Sequence, residues 1–199
     1  MKLTTNQLDI LTELINIGVG QAAGMLNSMI EYRIKLQIPG LKLLSLSELQ
    51  QQLNAKFSLG RLSSVQLEFS GLFSGTTQLI FPTDSAAILV EVITGEESET
   101  PSLNELKIAT LTEVGNILIN GVMGSISNIL TQRIHYNLPC YIEADIDHLL
   151  PLPMSDAEQF FILAQTRFDI SEIDVQGDII LFFNVDSFQS LLVAIDNAG

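Results

Sequence analysis

The chain has 199 residues, of which 47% are hydrophobic and 16% are charged, a composition typical of an ordered globular protein rather than a disordered one. Its formal net charge of −14, from 23 acidic and 9 basic residues, disfavours binding to phosphate backbones and to anionic membrane surfaces. We therefore expect no nucleic-acid partner.

The sequence has no feature of a secreted or membrane-inserted protein. Its first residues lack the apolar core of a secretory signal, and no later run approaches the roughly 20 apolar residues that a membrane span needs. Cys140 is the only cysteine, so an internal disulfide and a thiolate metal cage are both excluded. We expect a soluble, cytoplasmic protein in which Cys140 is a buried structural residue.

The first half of the chain predicts a long helix, strands and a closing helix. In chain order, the expected elements are a helix from Thr4 or Thr5 to about Ile30, a strand over 33–44 broken at Pro39-Gly40, a short helix over 48–55 capped by Ser47, paired strands over 65–70 and 76–81, and a helix over 85–93 capped by Thr83 or Asp84. An acidic, turn-rich stretch over 94–102 follows and is interpreted as a linker.

The second half predicts the same order of elements. A capping box formed by Ser102 and Glu105 begins a helix over about 103–130. A strand is expected over 139–144, Pro151 and Pro153 forbid a helix between them, and paired strands are expected over 160–170 and 178–185. The strand, turn and closing helix of the first half then recur.

The two long helices belong to a repeated unit with a period of 100 residues. When residues 11–39 are set above 111–139 without a gap, nine positions are identical: Leu11, Thr12, Glu13, Asn16, Ile17, Gly24, Arg33, Ile34 and Pro39. Residues that only fill a core vary among apolar types, so conserved Glu, Asn, Arg and Pro positions indicate a duplication. We predict an α+β fold with internal pseudo-two-fold symmetry, a single domain over 1–199 made of repeats at about 1–95 and 102–199.

One face of each long helix is polar and nearly flat. At 100° per residue, the first helix aligns Asp9, Glu13, Asn16, Gly20, Ala23 and Asn27, and the second aligns Ala109, Glu113, Asn116, Asn120, Met123 and Ser127. The Glu and the Asn lie one turn apart and can reach one external object together. Mid-helix glycines are unfavourable, so Gly18, Gly20 and Gly24 need a reason such as close approach by another backbone.

Several chemistries are open to the repeated Glu and Asn. Nucleophilic catalysis is poorly supported, because neither His135 nor His148 stands in a recognisable relation to a Ser or Cys. One carboxylate and one amide per helix fall short of a metal ligand set, and nothing sets the distance needed for a Glu13–Glu113 acid–base pair. An exposed Glu can instead pair with a lysine of a partner, and an Asn can orient a water molecule.

The first repeat resembles a known family signature. Asp9-x3-Glu13-x2-Asn16-x22-Pro39 is similar to the pattern of the CheC/CheX/FliY phosphatases of bacterial chemotaxis, which has Asp or Ser, then Glu, Asn and Pro at these spacings. Two copies in one chain resemble the CheC branch, since CheX-like members keep one. The resemblance implies a CheC-like fold.

The second repeat supplies Glu113-x2-Asn116-x22-Pro139 but has Ala109 at the first position of the pattern. Both prolines are interpreted as structural residues that end a strand or set a turn. The repeated Arg33 and Arg133 are interpreted as pairing within the fold.

The resemblance implies an aspartyl-phosphate phosphatase that acts on a response-regulator receiver such as phosphorylated CheY. In such an enzyme Glu13 and Glu113 would dock on a receiver lysine, and Asn16 and Asn116 would hold the attacking water. The residues expected to contact the partner around them are Asp9, Gly20, Ala23 and Asn120. The protein would need no cofactor or metal of its own, because the receiver brings its Mg²⁺.

Two further interpretations concern partners. A CheD-type deamidase is a second candidate partner implied by the resemblance. The alternative to catalysis is a non-catalytic module of the same fold that binds a receiver or a flagellar-switch component. A small-molecule enzyme with a cleft between the halves would need clustered titratable groups, which the sequence does not show.

Overall fold

The computed structural model describes residues 3–30, 32–38, 40–57, 61–71, 74–95, 105–131, 133–150, 160–170, 175–185 and 188–198. The helices are α1 (Thr5–Asn27), α2 (Leu46–Lys56), α3 (Thr83–Thr94), α4 (Glu105–Ile129), α5 (Ile146–Leu149) and α6 (Phe188–Ala198). The strands are β1 (Ile34–Gln37), β2 (Leu41–Ser45), β3 (Leu62–Gly71), β4 (Gly75–Phe81), β5 (Ile134–Tyr136), β6 (Cys140–Ala144), β7 (Phe160–Ile170) and β8 (Val175–Val185).

The strands form one antiparallel sheet in which the two repeats are interleaved. Its order is β1-β7-β8-β4-β3-β5, with β2 also paired to β7 and β6 also paired to β3. The strands that follow α1 therefore lie along β7 of the second half, and those that follow α4 lie along β3 of the first half. The predicted α+β class and the internal duplication are both confirmed.

Each face of the sheet carries its own core. The larger core lies between one face and the helices α1, α3, α4 and α6, and includes Leu11, Leu111 and Phe168. The smaller core lies on the other face under α2 and α5, and includes Leu49 and Phe161. Alternate residues of each strand point to opposite faces, which is why β7 contributes to both cores.

The central helices α1 and α4 pack against each other through glycine. A Cβ built on Gly18 would lie 2.6 Å from the carbonyl oxygen of Gly121, and one built on Gly121 would lie 2.6 Å from that of Gly18. The Ser125 hydroxyl donates a hydrogen bond to the Leu14 carbonyl. Because Leu14 meets Ser125 and Gly18 meets Gly121, the two helices run antiparallel.

The expectation that glycine marks close backbone approach is therefore right for Gly18 and wrong for two other positions. A Cβ on Gly20 or Gly24 would have no neighbour within 4 Å. These two glycines lie on the outer face of α1, where no element in the described part of the chain packs against them.

The helix starts confirm one capping prediction and correct two. Thr4 was one of the two residues predicted to cap α1, and it caps this helix through a capping box with Gln7. The cap of α2 is Ser45 rather than Ser47, because Ser45 bonds the backbone N–H of Glu48. Helix α3 already begins at Thr83, after Pro82, and Pro82 makes no side-chain cap.

Several other predictions concern the connections between elements. Strands β1, β2, β3, β4, β6, β7 and β8 fall where strands were expected, whereas β5 and the one-turn α5 were not predicted. Pro39, the Ser102 cap, most of the 94–102 linker and the 151–153 segment lie outside the described residues. No helix in the described part of the chain is both long and apolar enough to cross a membrane.

Candidate functional site

The packing of α1 exposes the Glu and Asn of the first repeat. Leu11, Leu14 and Ile15 are buried at 2% exposure or less, and these residues set the rotation of the helix about its own axis. Glu13 and Asn16 lie on the opposite side and are both exposed. In an α-helix, residues three apart have Cβ atoms about 5–6 Å from each other, so the two side chains can contact one partner.

The surroundings of this pair are open. Asp9 and Gly20 are exposed and Ala23 is half-buried, so the five residues Asp9, Glu13, Asn16, Gly20 and Ala23 form an outward face that we name the first ridge. Among the described residues, no side-chain hydrogen bond or ion pair engages Glu13 or Asn16. Both functional groups are therefore free to meet an external molecule.

Asn27 does not belong to the first ridge, although the sequence pattern aligned it there. Its side-chain nitrogen donates to the Ile34 carbonyl at 3.1 Å, and its side-chain oxygen accepts from the Ile34 N–H at 2.6 Å. The amide thus ties the last turn of α1 to the first residue of β1.

The second repeat presents the same pair on α4 with different neighbours. Glu113 is exposed and Asn116 is half-buried. We name the face formed by Ala109, Glu113, Asn116 and Asn120 the second ridge. The Asn120 amide nitrogen donates a hydrogen bond of 2.7 Å to the Asn116 side-chain oxygen. The first ridge has no equivalent of this bond, because Gly20 occupies the matching position.

Met123 corrects the sequence pattern of the second ridge. It was aligned with the exposed stripe, yet it is only 1% exposed and its sulfur accepts a hydrogen bond from the Thr77 hydroxyl at 3.7 Å. The sheet lies close enough to α4 here to cover a long apolar side chain. The second ridge therefore ends at Asn120 and has no bulky methionine beside it.

The antiparallel packing relates the two asparagines. Gly18 faces Gly121; Asn16 lies two residues before Gly18, and Asn116 lies five residues before Gly121. Because the helices run in opposite directions, the offset is two plus five residues, or roughly 10 Å along the helix axis at 1.5 Å per residue. The pairs therefore lie on either side of the helix contact.

Other candidate residues from the sequence are not gathered into a site. Cys140 is exposed, so the expectation of a buried structural cysteine is wrong: it is the first residue of β6, which pairs with β3 at the edge of the sheet. His135 and His148 are exposed on separate elements. Among the described residues no group of three or more His, Cys, Asp or Glu could hold a metal ion.

The repeated arginines also differ from expectation. Arg33 and Arg133 are both exposed, and within the described ranges neither makes an ion pair. The ion pair at the edge of the sheet instead joins the Arg61 Nε to the Glu143 carboxylate at 3.5 Å.

One polar cluster escaped sequence reasoning because its members are far apart in the chain. The Tyr141 hydroxyl lies 2.9 Å from the Ser63 hydroxyl and donates to the Glu143 carboxylate at 3.5 Å. Burial, followed by the nearby Glu143 charge, raises the pKa of Tyr141, and the Ser63 hydrogen bond partly offsets this rise. The Asn116–Asn120 bond, in contrast, could have been found from the spacing of four residues on a helix.

The fold and the two ridges define a class of protein: a duplicated α+β domain whose antiparallel central helices each present a glutamate and an asparagine on the surface. CheC of Bacillus subtilis (strain 168), a CheY-P phosphatase, is 26% identical over 95% of this chain and 93% of its own length. The chain is therefore similar over nearly its whole length to a protein of the CheC/FliY family, and its fold is that of FliY. No protein-family model matches the sequence.

Solved structures support the fold. The crystal structure of Thermotoga maritima FliY matches with a TM-score of 0.82 and 20% identity, covering 100% of both chains. FliM of H. pylori, solved in a FliG–FliM complex, matches with a TM-score of 0.71 and 12% identity over 96% of this chain and 100% of that chain.

Proposed function

We propose that this protein hydrolyses the aspartyl phosphate of a CheY-type response-regulator receiver. The observation that carries the proposal is the placement of Glu13 with Asn16, and of Glu113 with Asn116, on the outer faces of both central helices. The similarity to a CheY-P phosphatase over nearly the whole chain supports the same substrate class.

In the proposed reaction the glutamates dock and the asparagines act on water. A carboxylate on the ridge accepts a charge-assisted hydrogen bond from a lysine of the receiver. One turn further along the helix, the asparagine amide enters the receiver's active site. Its side-chain oxygen accepts a hydrogen bond from the attacking water, which turns a lone pair of the water towards phosphorus. Asp9, Gly20 and Ala23 line the first docking surface, and Asn120 lies beside the second.

Docking by the glutamates and water orientation by the asparagines are together sufficient for hydrolysis. An acyl phosphate is reactive by itself, and the receiver holds the Mg²⁺ that neutralises charge on the phosphoryl oxygens. Phosphoryl transfer then depends on positioning and on electrostatic stabilisation, so no covalent enzyme intermediate and no metal of this protein are required. What this protein would add is an amide that holds the water in line with the phosphorus and so speeds the spontaneous reaction.

The experiment that tests the proposal measures phosphate loss from a phosphorylated receiver with Mg²⁺, with and without the protein. Asn16→Ala combined with Asn116→Ala should lower the acceleration by about 100-fold or more, in the range expected when a reacting water is no longer held in the productive geometry. Asn128→Ala, a matched change at an exposed asparagine in the last turn of α4, should leave the rate unchanged. Retained acceleration in the double variant would reject the role of the asparagines.

Charge reversal separates docking from chemistry. Glu13→Lys in an Asn116→Ala background should raise KM for the phosphorylated receiver and leave kcat within about twofold, because an interaction equal in the ground and transition states affects binding alone. A fall in kcat at unchanged KM would place the glutamate in the hydrolytic step.

A second candidate function is a non-catalytic module that binds a receiver or a flagellar-switch component. The observation that favours it is the structural match with FliM of the FliG–FliM complex across nearly the whole chain. Under this function the phosphorylated receiver would bind with an affinity that depends on Glu13 and Glu113, yet its phosphate would be lost at the spontaneous rate.

A further inference from the structure

The two ridges differ at the position one helical turn after the asparagine. In the first repeat this position is Gly20, where an added Cβ would meet nothing within 4 Å. In the second repeat it is Asn120, whose amide nitrogen donates to the Asn116 side-chain oxygen at 2.7 Å. The otherwise matching sites therefore hold their asparagines differently.

The bond sets where the Asn116 amide can point. Residues four apart on a helix lie one above the other on the same face, and the Asn120 side chain leans back over the turn that contains Asn116. The hydrogen bond between them therefore holds the Asn116 amide oxygen beside the helix surface. An amide that enters a partner's active site must instead point away from the helix. The Asn120 amide also occupies one acceptor position of the Asn116 oxygen, the atom that would accept a hydrogen bond from the attacking water.

We infer that Asn120 is a positioning residue that restrains Asn116, so that the second site hydrolyses the receiver's aspartyl phosphate more slowly than the first. The inference rests on the proposed function and deepens it. In the complex, Asn120 competes with the attacking water for the Asn116 oxygen, and the amide is productive when this bond is broken. Asn16 has no such competitor among the described residues.

The expected change in kcat follows from the strength of the Asn116–Asn120 hydrogen bond. The net contribution of an intramolecular hydrogen bond in contact with solvent corresponds to about two- to tenfold in a rate. The competition takes place after the receiver has docked, so kcat changes and KM does not. A side chain that only contacts the partner, as the sequence pattern suggested for Asn120, would change KM.

The test uses variants in which one site works alone. In an Asn16→Ala background, Asn120→Ala removes the competing amide and keeps a strong helix former. We expect kcat for dephosphorylation of the Mg²⁺-loaded, phosphorylated receiver to rise by about two- to tenfold with KM unchanged. Asn128→Ala, the matched control on the same helix, should leave both parameters unchanged. An unchanged or lower kcat in Asn120→Ala, or a change in KM alone, would overturn the inference.

The mirror experiment builds the restraint into the first site. In an Asn116→Ala background, Gly20→Asn places an amide four residues after Asn16, whereas Gly20→Ala adds a Cβ without an amide. We expect kcat of Gly20→Asn to be about two- to tenfold below that of Gly20→Ala. Equal kcat values in the two variants would overturn the inference.

The failures of the two proposals are distinguishable. If the wild-type protein does not accelerate phosphate loss, the proposed function fails. The proposed function stands if the wild type accelerates phosphate loss and Asn16→Ala combined with Asn116→Ala abolishes the acceleration. If Asn120→Ala then does not speed the second site, only the restraint by Asn120 is rejected.

Discussion

Replacing Gly18 by alanine tests the contact that holds the two ridges in their relative positions. The new methyl group would lie 2.6 Å from the Gly121 carbonyl oxygen and 2.7 Å from the Val122 backbone nitrogen. Both neighbours are main-chain atoms, so no change of rotamer can make room. The helices α1 and α4 must separate along their contact, and the hydrogen bond from Ser125 to Leu14 lies in the same interface.

The change in the free energy of unfolding caused by Gly18→Ala is the balance of two opposing effects. Overpacking a tight interior costs about 1–3 kcal/mol. The cost should lie towards the upper end of this range, because the added methyl group meets main-chain atoms that cannot move aside. Alanine gains up to about 1 kcal/mol over glycine within a helix. The free energy of unfolding should therefore fall by about 1–2 kcal/mol, which for a chain of this size lowers Tm by roughly 2–8 °C.

Urea unfolding followed by circular dichroism measures this difference, and Gly24→Ala is its matched control. Gly24 lies in the same helix with nothing within 4 Å of an added Cβ, so the same chemical change should raise the free energy of unfolding by up to about 1 kcal/mol. The two variants should move the urea midpoint in opposite directions. If Gly18→Ala is as stable as Gly24→Ala, the two backbones do not approach as closely as described.

Two further variants test local features of the fold. Asn27→Ala removes both hydrogen bonds to Ile34 and should lower the free energy of unfolding in urea by about 1–3 kcal/mol, whereas a smaller loss would show that water satisfies the β1 backbone. Burial above all raises the pKa of Tyr141 from its ordinary value of 10.0, so the folded protein keeps this proton where the unfolded chain releases it. The contribution of Tyr141 to stability should be constant below about pH 10 and fall above it. Tyr141→Phe should reduce that alkaline fall, and an identical pH profile in the variant would contradict the assignment.

Helix periodicity predicted which residues of the central helices face outward. The apolar positions of α1 leave Asp9, Glu13 and Asn16 on the opposite side, and all three are exposed. A helix with one apolar stripe must bury that stripe, so the rotation of the helix follows from local sequence. Periodicity was wrong for Met123, because its burial depends on how closely the sheet approaches α4.

The strands show the same division between local and distant information. Alternating apolar residues and turn signals placed β3, β4, β7 and β8 in the sequence. The hairpin pairs β3–β4 and β7–β8 were predicted correctly as well. The partners of the strands that follow α1 could not be read in this way, because they pair with β7 rather than with β3 of their own repeat. Pairing across the repeats depends on which apolar surfaces meet in space, and no local pattern encodes it.

Residue identity at fixed spacings along one helix or strand was enough to predict the duplication, the α+β class and the outward Glu–Asn pairs. The contact between Gly18 and Gly121 and the burial of Met123 became visible only in three dimensions, because contacts between distant segments depend on the packing of whole elements. The different surroundings of Asn16 and Asn116 could be predicted from the sequence only in part. The spacing from Asn116 to Asn120 is visible in the sequence, but the rotamers that join their amides are seen in three dimensions.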